Sequence, residues 1–215
     1  WVNFRSPLIW DVFAVGTYFT VSAVFFYVGL VPDLAVLRDN STGWKRRIFS
    51  VASLGWSGTG REWKHFSSAY LFLAALATPL VISVHSVVSW DFAVAVVPGW
   101  HSTIFAPYFV AGAIFSGLAM VLTILIPARA ILNLKDYITG HHLENVAKLI
   151  IVSSLIVSYA YLTEAFFAWY SENPFEQRVF LSRAVGDLAP LFWLMVLCNC
   201  LAPLLFFFKA LRRNT

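Results

Sequence analysis

Charge is scarce in this sequence. Only 12% of its 215 residues are Asp, Glu, Lys or Arg, where a soluble domain carries about 25%. With 60% hydrophobic residues and a mean hydropathy of +0.74, that shortage excludes a large soluble core and leaves an integral membrane protein. Cysteine is scarcer still, at Cys198 and Cys200 alone. Their C-x-C spacing within an apolar run turns them about 200° apart on a helix, so they do not share a metal and are expected to be small core residues. CxxC, a phosphate loop, a dinucleotide fingerprint and HExxH are all missing, which removes the chemistries those motifs signal. An initiator Met and a signal-peptide pattern are missing too. The sequence starts at Trp1, and we expect further chain to precede it in a longer protein.

Apolar runs and aromatics are abundant. Nine Trp, eight Tyr and 20 Phe gather near the ends of the runs, as an interfacial belt requires. Five segments reach the roughly 20 apolar residues that a bilayer demands: 8–31, 66–88, the stretch between Pro107 and Pro127, 146–170 and 188–208. Their backbones must bond internally and the runs do not alternate, so the expected fold is an all-α integral membrane protein rather than a β-barrel. Ser6-Pro7 is a helix-start signal, with Ser as cap and Pro in the first turn. Pro79 and Pro203 are expected to bend or interrupt their helices.

Lys and Arg set the orientation. Arg38, Lys45, Arg46, Arg47, Arg61, Lys64, Arg129, Lys135, Lys148, Lys209, Arg212 and Arg213 fall on one side, against Arg5, Arg178 and Arg183 on the other. The positive-inside rule places the first group in the cytoplasm, Trp1 outside and Thr215 inside. The net charge of +4 therefore reports topology and implies no nucleic acid. The stretch WKRRIF at residues 44–49 reads as a topology and lipid-headgroup element.

Four ionisable groups then lie near the outer boundary: Asp11, His85, Asp91 and Glu164. Such groups are functional candidates by default. From Asp11, steps of seven and eleven residues reach Tyr18 and Ser22, a polar stripe on one helix face. From Glu164, steps back of three and ten residues reach Tyr161 and Ser154. The competing reading makes Asp11 and Asp91 interfacial carboxylates at helix ends, and His85 a hydrogen-bonding bridge within the bundle. His85 and Asp91 stand roughly 240° apart on a continuous helix and do not meet unless it breaks. A bis-histidine haem needs two intramembrane His on facing helices. Only His85 qualifies, because His65, His141 and His142 fall on the cytoplasmic side and His101 in an outer loop. Gly112 with Ser116, and Ala113 with Gly117, suggest a close-packing face. Asn199 beside Pro203 is expected to satisfy backbone groups freed at a kink.

Two function classes fit these residues. One is a quinol-binding subunit that passes electrons to a partner. It needs a carboxylate or His to exchange the proton, and an aromatic slot such as WDVFAVGTYF at residues 10–19. The other is a proton channel or transporter, for which broken helices are the usual sign.

The stretches FRSPLIWDVFAVGTYFTVSAVFFYVGLVPDLAVLRD, SVHSVVSWDFAVAVVPGWHSTIFAPYFVAGAIFSGLAMVL and HLENVAKLIIVSSLIVSYAYLTEAFFAWYSENPFE carry a resemblance. Together they are similar to the NrfD/PsrC family of membrane subunits, and within it to those of bacterial alternative complex III. The resemblance implies a chain of about ten helices built from two four-helix bundles. On that scheme residues 1–31 are the last helix of a quinol-site bundle and 32–64 a cytoplasmic loop. Residues 65–187 belong to the second bundle, and 188–215 are a final helix and cytoplasmic tail. The resemblance further implies a multi-pass protein of the bacterial cytoplasmic membrane that oxidises quinol or menaquinol near the periplasmic face and binds no haem or metal. Its implied partners are a periplasmic iron–sulfur subunit, multihaem cytochrome c subunits, a paralogous membrane subunit and lipids. The aspartate of its SPLxWD motif, here Asp11, is implied as the quinol proton acceptor, with Trp10 and Tyr18 in the pocket. The usual partner histidine stands on a preceding helix outside this sequence. His85, Asp91, Tyr161 and Glu164 are implied in a proton path, with Arg129 as a further member.

Overall fold

The computed structural model describes residue 4 and residues 6–95 and 104–213. Trp1, Arg5, Thr215 and the whole PGWHST stretch, His101 included, lie outside the described residues. The fold is all helical, with no strand among the described residues and five helices long and apolar enough to cross a membrane. The chain divides into two compact units, Trp1–Val87 and Val88–Thr215.

The first unit holds α1 (Pro7–Asp39), α2 (Gly43–Ala52) and most of α3 (Gly60–Ala93). Pro7 opens α1 behind Ser6, whose side chain makes no capping bond. Both long helices overrun the apolar stretches read from the sequence. The 33 residues of α1 span about 50 Å, well beyond a hydrocarbon core of about 30 Å. The segment read as a loop also holds α2, a helix too short for a hydropathy signal. α3 starts six residues before its apolar run because Thr59 and Glu62 form a capping box. The Thr59 N–H donates to the Glu62 carboxylate at 2.9 Å, and the Glu62 N–H to Thr59 Oγ1 at 3.4 Å. Large rings join α1 to α3. Phe25 and Tyr70 have centroids 4.7 Å apart, and the Tyr70 ring would touch a Cβ on Gly29 at 3.3 Å.

The second unit is organised by α5 (Gly140–Tyr170), which packs on α4 (Phe105–Ile131). Leu143, Ala147, Ile150, Ser154, Val157 and Ala160 are all buried on α5. Their steps of three and four residues trace one face, and small residues on it allow close approach. On α4, a Cβ on Gly112 or Gly117 would meet nothing within 4 Å, so that small-residue face is not filled by a described neighbour. α6 (Pro174–Val185) is capped by Asn173, which accepts the Phe175 N–H at 3.0 Å. The last span breaks into α7 (Ala189–Val196), a π turn (Leu197–Leu201) and a 3-10 turn (Ala202–Phe207), followed by α8 (Lys209–Arg212). The cysteines sit in the π turn, where Cys198 is exposed and Cys200 half-buried. They are not the core residues expected from their apolar surroundings, because an apolar run in lipid turns many side chains outward.

The break has a specific cause. In a regular helix the Asn199 carbonyl accepts from residue 203, but Pro203 has no N–H. Ser154 of α5 supplies the missing donor, its hydroxyl lying 2.6 Å from Asn199 O. Contrary to the expectation from the sequence, the Asn199 side chain does not relieve this site; its own carbonyl is the group relieved. At the far end of α5, Glu144 (side chain 8% exposed) meets Arg213 at 3.0 Å, Lys148 at 3.5 Å and Arg212 at 3.6 Å. One nearly buried carboxylate thus fastens α8 to α5.

Candidate functional site

Each unit carries one set of polar groups within its membrane helices. In the first unit, Asp11, Tyr18 and Ser22 are half-buried, while Val12, Phe13, Val15 and Phe19 between them are exposed. The polar stripe therefore faces inward. Tyr18 meets His85 of α3 edge to face, with centroids 6.4 Å apart. His85 Nδ1 lies 2.7 Å from the Val81 carbonyl. A carbonyl only accepts, so Nδ1 is the donor in this bond. A phenol and an imidazole thus meet, with the Asp11 carboxylate about two turns earlier on the same face of α1, and such groups suit proton exchange with a ring-shaped ligand. Trp10 is 63% exposed, and its ring lies tilted against that of Phe13, centroids 6.2 Å apart.

In the second unit, Glu164 and Tyr161 of α5 meet residues that spacing alone did not single out. Arg183 of α6 donates to Glu164 Oε1 at 2.9 Å. Asn199 Nδ2 donates to the Tyr161 hydroxyl at 3.3 Å. The Tyr108 ring of α4 lies 5.4 Å from that of Tyr161. Tyr108, Tyr161, Glu164 and Arg183 border a cavity of about 350 Å³ whose other walls include Phe180, Leu188, Phe192 and Met195. Arg183 counted in the sequence only as a topology charge, and Tyr108 was not singled out. Nothing in a single helix period could pair them with α5.

The remaining candidates fall elsewhere. Asp91 is half-buried in the last turn of α3. That helix runs unbroken from His85 to Asp91, so the two point to different sides. Arg129 is not part of the Glu164 cluster. Its Nε donates to the Ile138 carbonyl at 2.6 Å and holds the turn after α4. His142 caps α5 by accepting the Thr139 N–H at 3.1 Å, and His141 bonds Asn145 at 3.2 Å. No group of three His, Cys, Asp or Glu arranged for a metal occurs among the described residues.

Comparison with known proteins decides the family. The sequence signature described as "Polysulphide reductase, NrfD" matches residues 1–215. The chain belongs to the NrfD family. It is also similar to a putative dimethyl sulfoxide reductase membrane subunit of Halobacterium salinarum, with 31% identity over 127 residues. That match covers 59% of this chain and 27% of the relative, so the chain spans only about a quarter of the relative's length. As an NrfD-family chain with five apolar helices, it is a multi-pass membrane protein.

Proposed function

We propose that this chain is part of the membrane subunit of a quinol-oxidising electron-transfer complex, of the alternative complex III type, in the bacterial cytoplasmic membrane. The carrying observation is the inward face of α1, where Asp11, Tyr18 and Ser22 align and Tyr18 meets His85. On this reading the quinol ring sits among Asp11, Tyr18 and neighbouring aromatics. Asp11 accepts a hydrogen bond from a quinol hydroxyl, then its proton. Complete oxidation to quinone releases two protons and two electrons. The electrons pass to an iron–sulfur subunit docked at the periplasmic face, and onward to multihaem cytochrome c subunits beside a paralogous membrane subunit. The excess of Lys and Arg in the segments after α1, after α4 and at the tail supports a periplasmic start and a cytoplasmic end. The relative's name, a reductase membrane subunit, supports the wider class of membrane subunits of reductase complexes.

A second reading rests on the other unit. Glu164 bonds Arg183 and Tyr161 bonds Asn199, and Tyr108, Tyr161, Glu164 and Arg183 border one cavity. That set favours a haem-free proton-conducting or transporter-type role, either coupled to quinol oxidation or without a quinol site in this chain. The separating experiment is Asp11→Asn in the intact complex, following quinol turnover and binding of a quinol analogue together. We expect both to fall with assembly retained, turnover by at least about a hundredfold, the usual worth of a positioned proton acceptor. Normal turnover and binding would remove the quinol site from α1 and leave proton conduction as the better account.

A further inference from the structure

α2 presents three separate faces. Ala52, Phe49 and the fully buried Ser53 just beyond it face the rest of the unit. There the Tyr27 hydroxyl donates to the Ala52 carbonyl at 2.7 Å, and Arg38 donates to Ser53 Oγ at 3.3 Å and the Trp56 carbonyl at 2.9 Å. Trp44, Ile48 and Val51 follow at steps of four and three and form a second face, exposed by 69%, 53% and 78%. Arg46, Arg47 and Ser50 form a third, exposed and cationic. With Gly43 and Trp44 they line an open cleft of about 510 Å³. Gly43 has φ of 64°, a left-handed conformation that glycine adopts without strain.

No hydrogen bond or close ion pair among the described residues reaches either free face. Asp39 lies near enough to Arg46 to interact electrostatically, but its carboxylate bonds Arg38 at 2.8 Å, and Glu62 bonds Ser57 and Thr59. An apolar face beside a cationic one is the pattern of a helix lying in the plane of a membrane interface. The chain crosses the bilayer immediately before and after α2, which keeps the helix at that depth.

We propose that α2 is a docking surface for anionic phospholipid. Trp44, Ile48 and Val51 lie among the upper acyl chains, and the Arg46–Arg47–Ser50 cleft receives the headgroup phosphate through guanidinium hydrogen bonds. The site therefore prefers an anionic headgroup to a zwitterionic one, which carries the same phosphate beside a cation.

The test uses the intact complex in phosphatidylcholine nanodiscs. These contain brominated phosphatidylglycerol or brominated phosphatidylcholine at equal mole fraction. Trp44 fluorescence is taken as wild type minus Trp44→Phe. We expect stronger quenching of Trp44 by the brominated phosphatidylglycerol. The preference should weaken by up to about fivefold for each of Arg46→Gln and Arg47→Gln and survive in the Arg→Lys versions. Equal quenching by both lipids would overturn the proposal. So would an absence of quenching by either lipid, which would show a protein partner covering the helix.

Discussion

At Pro203 the helix loses one donor, and the acceptor left over is the Asn199 carbonyl. In lipid no water replaces that donor, so the oxygen must find another within the protein. Ser154 Oγ does so at 2.6 Å. Ser154→Ala should therefore destabilise the second unit by about 1 kcal/mol, the usual scale for a hydrogen bond within a membrane bundle. The same change made on a Pro203→Ala background should cost less, because the substituted alanine restores the N–H that the carbonyl lacked. A double-mutant cycle by chemical denaturation in detergent measures the difference. Additive effects would mean that Ser154 acts through packing alone. The proline and its i−4 partner were legible in the sequence. Ser154 was legible only as a member of the Glu164 stripe; its pairing with Asn199, 45 residues away, was not, because a helix period relates only residues on its own helix.

Among the elements, length in apolar residues identified the spans, and chemistry at their ends placed the boundaries. The hydropathy of 66–88 could not show that α3 begins at Gly60; the Thr59-x-x-Glu62 pair could have, since it is a capping-box signature. α2 and α6 escaped notice because helices of ten and 12 residues with mixed polarity resemble loops in a hydropathy reading. The turn from α6 to α7 has its own constraint. A Cβ on Gly186 would collide with the Ser182 carbonyl oxygen, which also accepts the Gly186 N–H at 3.1 Å. Gly186→Ala should force the backbone to move and lower stability by about 1–3 kcal/mol, as overpacking does. Arg183 stands one turn earlier, so its bond to Glu164 should loosen with it. A thermal shift measured on the complex checks this; an unchanged midpoint would mean that the turn relaxes without cost.

For the whole molecule, the two polar sets differ in how far one sequence could reveal them. Asp11, Tyr18 and Ser22 share one helix, so spacing sufficed to place them on one face. The Glu164 cluster joins α4, α5, α6 and the π turn, and only its α5 members, Tyr161 and Glu164, were legible. The two sets also carry different expectations. If Asp11 serves oxidation and Glu164 serves proton movement, Glu164→Gln in the intact complex should leave quinol turnover and analogue binding in place. It should lower the number of protons moved per electron, measured in proteoliposomes with a pH-sensitive dye. Removing the carboxylate strands Arg183, so a structural loss must be separated from a proton-transfer loss. The pair is about one-third exposed, 33% on Glu164 and 37% on Arg183, so breaking it should cost at most about 1 kcal/mol. Glu164→Gln with Arg183→Gln removes the stranded charge and should regain that stability. It should not regain proton movement, because a neutral amide pair offers no carboxylate to take up and release a proton. Recovery of proton movement in the double variant would make the Glu164–Arg183 contact a brace for α6. An unchanged proton count in Glu164→Gln alone would take the cluster out of the proton path.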